Sequence, residues 1–199
     1  MIRILQEEEE YVDWEDRMWN YYIESLTDAE REAEDLTSRF YNTFSHLEFT
    51  YGMDMYGVFE ACDTAKSLIF AVLRKLREDY KVLPIKKVEP ATAEKEDTTT
   101  DLYLEADMAV DFDNNDIINS RLLDKIAQII KSRYKEVKIK KKGSAEIIVD
   151  LGTYAGFECE FYIVIRSSKQ IEFLYSAHYD KTRYAPKEDN DEYAGEYDM

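Results

Sequence analysis

Six carboxylates fall where strands would bring them together. Glu105, Asp107 and Asp111 alternate along DLYLEADMAVDFD, and Asp150, Glu158 and Glu160 sit in two later segments of the same period. Carboxylates converging from neighbouring strands are one way to hold the divalent ions of a nuclease, but the strand lysine that accompanies them is missing, because Glu160 is followed by Phe161 and Tyr162. A small metal-dependent hydrolase or nuclease is therefore the third-ranked reading, behind a solvated acidic sheet face. DFDNND at 111–116 places Asp111, Asp113 and Asn115 like the first ligands of a calcium loop. The rest of that pattern fails, since Asp116 stands where the turn glycine belongs and Leu122 where the bidentate glutamate belongs. A strand end followed by a helix cap accounts for the same residues, so no metal and no cofactor is assigned.

Thiol chemistry fails on phase. Cys159 alternates with Phe157, Phe161, Ile163 and Ile165, whereas His178 is out of step with Ile171, Phe173, Tyr175 and Ala177, so the two point to opposite sides of a sheet. Cys62 lies on an apolar helical seam, and both cysteines read as small core residues. GxSxG, P-loop and GxGxxG patterns are all missing, and six glycines leave little material for a phosphate cradle. The expectation is a protein that is not an enzyme.

Binding chemistry has more to work with. KSRYKEVKIKKK, 131–142, holds seven Lys/Arg against Glu136, and on a regular strand Lys138, Lys140 and Lys142 share one face with Tyr134 nearby. Such a row suits a nucleic-acid backbone or an assembly contact. It equally suits an edge strand that uses lysines to prevent sheet-to-sheet association. Against it stands the whole chain, with 43 acidic and 26 basic residues and a net charge of −17, which disfavours direct nucleic-acid binding and anionic lipid. Residues 1–63 alone carry 17 acids against 4 Lys/Arg.

In that acidic stretch the carboxylates crowd against aromatics. Placed at 100° per residue, 7–26 forms a helix with an apolar arc about 200° wide that includes Trp14, Trp19 and Tyr21, while Glu9, Asp13, Asp16 and Glu24 lie opposite within about 80°. So wide an arc is covered by two surfaces, by a homodimer seam, or by a partner. Rigid aromatic area beside ordered carboxylates fits a partner's Lys and Arg, as a nucleic-acid mimic or inhibitor would, a physical type found in phage and mobile-element proteins. The leading expectation is thus an acidic protein that engages a basic surface of a partner protein, of the kind that binds nucleic acid. The alternative is a nucleic-acid or assembly module built on 131–142.

The elements that position these groups follow from period. Thr27 and Glu30 have capping-box spacing, and Ala29, Ala33, Leu36, Phe40, Phe44 and Leu47 recur every three or four residues. Glu30 and Glu34 read as like charges on the exposed side of that helix. Val58, Cys62, Ala65, Ile69, Val72 and Leu76 mark a third helix over 55–80. LPIKKVEPATAEKEDTTT, 83–100, has Pro84, Pro90 and no period, and reads as a linker. Beyond it come a strand, an amphipathic helix and four strands. The prediction is an α+β chain: an acidic three-helix unit over 1–82, a linker at 83–100, a β-α-β-β-β-β unit with a mainly antiparallel sheet over 101–179, and an acidic mobile tail at 180–199. The two units should share only a limited interface. Two cysteines and an apolar run no longer than LIFAVL point to the cytoplasm, with no membrane association.

Overall fold

A computed structural model describes residues 14–79, 85–112 and 120–184. Helices α1 (Trp14–Ser25), α2 (Asp28–Phe44), α3 (His46–Tyr51) and α4 (Tyr56–Asp79) come first, followed by strands β1 (Ile85–Asp97) and β2 (Asp101–Phe112). Helix α5 (Ser120–Arg133) leads to β3 (Lys138–Lys142), β4 (Glu146–Tyr154), β5 (Phe157–Ser167), β6 (Gln170–Asp180) and the short α6 (Lys181–Tyr184). The chain is α+β, with helices preceding one six-stranded sheet of order β1-β2-β6-β5-β4-β3. Every neighbouring pair is antiparallel.

The four inner strands, β2, β6, β5 and β4, form because one side of each is apolar. Leu102, Leu104, Ala106, Met108, Val110 and Phe112 of β2 are all buried, as are Phe157, Cys159, Phe161 and Ile163 of β5. The α4 seam from Val58 to Leu76 closes over this face, and α2 packs on α4, β1 and β2. Tyr175 ties the layers together. Its ring meets Phe40 of α2 edge-on at 4.9 Å, and its hydroxyl donates to the Val58 carbonyl of α4 at 2.6 Å.

Three expectations are corrected. Residues 85–97 are an edge strand and not a linker; Pro90 sits at a β-bulge between Glu89 and Thr92, where a missing N–H breaks no ladder, and pairing with β2 overrides poor intrinsic propensity. The bulge leaves the Ala91 N–H to donate to Glu32 of α2 at 3.0 Å. The interface between the halves is also extensive, because one apolar core runs from Ala29 through α4 to the inward face of all six strands. Finally, Glu30 and Glu34 are buried, at 3% and 6% exposure. The Thr27–Glu30 capping box forms as its spacing demands. From there Arg74 of α4 bonds Glu30, Lys66 bonds Glu34 at 3.1 Å, and the Tyr22 hydroxyl donates to Glu34 at 2.5 Å. Part of the helical acidity is therefore spent on internal ion pairs.

Candidate functional site: the open face of the sheet

Helices cover one side of the sheet, and register defines what the other side presents. One row crosses all six strands as Lys138, Asp150, Glu160, Ser176, Glu105 and Glu94. A second row runs Ile148, Tyr162, Leu174, Asp107 and Thr92, and a third Glu158, His178, Tyr103 and Glu96. With Val164, the residues Ile148, Tyr162 and Leu174 make a half-buried apolar strip in the middle of this face.

Charge is distributed unevenly along it. Toward β3, Glu160 is held by Lys140 and by the Tyr162 hydroxyl, and toward the β5–β6 turn Glu172 is held by Arg166. Toward β1 the compensation stops. Glu94 stands directly across from Glu105, with Glu96 and Asp107 beside them, and these four carboxylates have no ion-pair partner among the described residues. Like charges directly opposed on neighbouring strands destabilise a sheet. The Glu105 carboxyl is pushed above the ordinary glutamate range, first by burial and then by Asp107, Glu96, Glu94 and Glu172.

At the end of the same face, His178 Nε2 lies 2.8 Å from Asp101 Oδ1, and the imidazole stacks on Tyr103 with centroids 4.3 Å apart. The Thr100 hydroxyl donates to the other Asp101 oxygen at 2.5 Å; these two contacts, the hydroxyl first, hold the Asp101 carboxyl below its usual range. Sequence reading placed His178 away from Cys159 but missed this cluster, whose members are 77 residues apart.

The predicted site residues divide. Glu9 and Asp13 lie outside the described residues, and Trp14 and Asp16 belong to the first turn of α1. Trp19 and Tyr21 project from α1 at 54% and 72% exposure, with Glu24 exposed on the same helix. Helix α1 reaches the body through Tyr22, and the buried Leu26 follows its end, so the exposed Glu24 stands apart from the open sheet face. The lysine row is not continuous. A bulge between Ile139 and Lys141 turns the end of β3 over, so Lys142 pairs across from the inward Ile147 and bonds Asp124 of α5, while Lys140 goes to Glu160 on the open face. Lys138 stays on the open face at the β3 edge, and Tyr134 is half-buried before it.

Both thiols are interior. Burial pushes the Cys62 thiol well up and the Cys159 thiol to about 11, so neither supplies a thiolate nucleophile near neutrality. Among the described residues no three His, Cys, Asp or Glu side chains converge to hold a metal ion, and no helix is long and apolar enough to cross a membrane. Compared with known proteins, the chain matches no family model, no curated protein and no solved structure.

Proposed function

We propose that this protein is a non-enzymatic binder of a basic surface on a partner protein, and that the open sheet face makes the contact. The observation that carries the reading is the uncompensated quartet Glu94, Glu96, Glu105 and Asp107 beside the apolar strip of Ile148, Tyr162, Val164 and Leu174. A sheet selected for stability alone would place cations among these acids, as it does around Glu160 and Glu172. An arginine- or lysine-rich partner supplies those cations, lays its aliphatic stems on the strip, and gains steering from the negative field of the chain. If the partner surface normally meets nucleic acid, the carboxylates occupy the places of phosphates and the protein inhibits by mimicry.

The exposed Trp19 and Tyr21 favour α1 as a second contact surface, with the exposed Glu24 on the same helix. The lysine-row alternative loses Lys140 and Lys142 to internal pairs.

Affinity capture from the native source at two salt concentrations, followed by kinetics with the captured partner, tests the reading. The variant E94Q/E96Q/E105Q/D107N should associate at least about tenfold more slowly with a weaker salt response. Free nucleic acid should compete with the native protein for a mimicked surface. Unchanged rates in that variant, with loss in W19A/Y21A or E9Q/D13N/D16N/E24Q, would move the contact to α1 and the acidic sequence before it. Unchanged rates in all three sets would end the proposal.

A further inference from the structure

At the β3 edge of the sheet, away from the acidic quartet, a cleft of about 730 Å³ opens between three elements. Helix α4 lines it with Asp63, Thr64 and Ser67, the α5–β3 connection with Arg133 to Lys138, and the end of β4 with Asp150 to Gly152 and Tyr154. Its size is that of a small-molecule site. Its lining sets three cations against three carboxylates, in a chain whose net charge is −17. Arg133, Lys135 and Lys138 have no ion-pair partner among the described residues. Of the acids in the lining, Asp63 is held by Lys66 at 3.3 Å, and Asp150 keeps its charge while its Oδ1 accepts the Gly152 N–H at 2.9 Å. Three cations without an ion pair therefore meet two such carboxylates, Glu136 and Asp150.

The neutral groups set the rest of the ligand. Ser67 and Thr64 donate their hydroxyl protons back to the carbonyls of Asp63 and Glu60, at 3.0 and 3.1 Å, so what they turn outward is acceptor oxygen. The second oxygen of Asp150 is a further acceptor. Tyr134 and Tyr154 stand among the lining residues with aromatic surface. Cations for an anionic group, acceptors for hydroxyls and flat apolar area for a ring belong together in one kind of molecule.

We infer that this cleft binds a small phosphorylated ligand bearing hydroxyl groups, the chemistry shared by nucleotides and sugar phosphates. Arg133, Lys135 and Lys138 take the phosphate, as charge-assisted donors. Ser67, Thr64 and Asp150 take the hydroxyls. The cleft shares Lys138 and Asp150 with the β3 edge of the open face but includes neither the acidic quartet nor the apolar strip, so its failure would leave that proposal standing.

Calorimetric titration of the full chain at physiological ionic strength, with inorganic pyrophosphate, ADP and glucose 6-phosphate as separate probes, tests it. ADP or glucose 6-phosphate should bind at one equivalent and more tightly than pyrophosphate, and whichever is tighter names the source of the phosphate. The variant R133Q/K135Q/K138Q should lose about a hundredfold or more in affinity, since each charged hydrogen bond removed costs about tenfold. S67W, which fills the cleft without changing its charge, should lose binding as well. The variant R39Q/R77Q/K95Q removes the same charge from elsewhere and should bind as the native chain does. No saturable binding of any probe would overturn the inference. So would pyrophosphate binding as tightly as both organic probes, undiminished binding by the cleft-cation variant, or equal loss in the control variant.

Discussion

The ring of Tyr154 lies directly over Gly57, so close that a β-carbon on residue 57 would sit 2.4 Å from ring Cδ1 and 2.8 Å from the Tyr154 Cβ. Gly57 begins the second position of α4, and the Tyr154 hydroxyl is anchored to the Leu151 carbonyl at 3.0 Å. The β4–β5 hairpin is thereby seated on the start of α4. Alanine is the better helix former by about 1 kcal/mol, so on propensity alone Gly57→Ala should stabilise. The overlap decides otherwise, and Gly57→Ala should destabilise by about 1–3 kcal/mol in denaturant unfolding. In a Tyr154→Ala background the same change should turn neutral or stabilising, and a double-mutant cycle reads the coupling.

Glu34 is the acid most dependent on its partners. With 8% of its side chain exposed, it relies on Lys66 and the Tyr22 hydroxyl. Lys66→Ala should cost about 2 kcal/mol, mainly by leaving a buried carboxylate short of a counter-ion. Pairing Lys66→Met with Glu34→Gln should restore most of that loss, because the remaining amide still accepts from Tyr22. Urea denaturation of the two variants at pH 7 distinguishes these outcomes.

Glu30, one turn earlier on α2, sets an acid limit. Burial works to raise the Glu30 carboxyl, but the Thr27 N–H, the Arg74 guanidinium and the Thr27 hydroxyl outweigh it, and the group sits below the ordinary value of 4.5. A lowered folded value means stability that is fully present above about pH 4.5 and lost as pH falls through the folded value. Glu30→Gln should therefore destabilise at pH 7 and converge on the native chain in strong acid, as thermal melts across that range would show.

Cys62 and Cys159 carry a simpler expectation. Both are 1% exposed, and desolvation raises both thiols. An aromatic disulfide reagent at pH 8 should leave the folded chain unmodified and react with two thiols per chain in denaturant. Prompt reaction of either in the native state would place it outside the core.

How much of this was legible in the sequence depends on range. The β2 alternation, the α4 seam and the Thr27–Glu30 box are local patterns, and each folds as its period requires. The opposition of Cys159 and His178 followed from parity alone. What escaped were features decided by partners far along the chain. Arg74 reaches back 44 residues to Glu30 and Lys66 back 32 to Glu34, so acids that read as a solvated face are internal. Strand β1, with Pro90 and alternating Lys and Glu, has no strand signal of its own and exists because β2 offers it an edge. A single bulge after Ile139 reassigned Lys142, since any one-residue shift moves side chains to the other face. The Glu94–Glu105 opposition needed the β1 register, which period cannot supply.

That opposition gives the most direct test of the open face. Glu105 is raised above the ordinary glutamate value of 4.5 by burial and by four neighbouring carboxylates. A folded value above the unfolded one means that the native state keeps its proton where the unfolded state has lost it. Stability then falls as pH rises from about 4.5 through the folded value and stays lower beyond it. Glu105→Gln should accordingly stabilise the chain at pH 7 by a few tenths to about 1 kcal/mol, the scale of one relieved cross-strand repulsion, and the gain should shrink in high salt. Below about pH 4 the variant and the native chain should be equally stable. Glu172→Gln is the useful comparison, because Glu172 already has Arg166 and its loss should bring no such gain at pH 7. If Glu105→Gln instead lowers stability at pH 7, a cation compensates the quartet within the folded chain, and the open face has no charge left over for a partner.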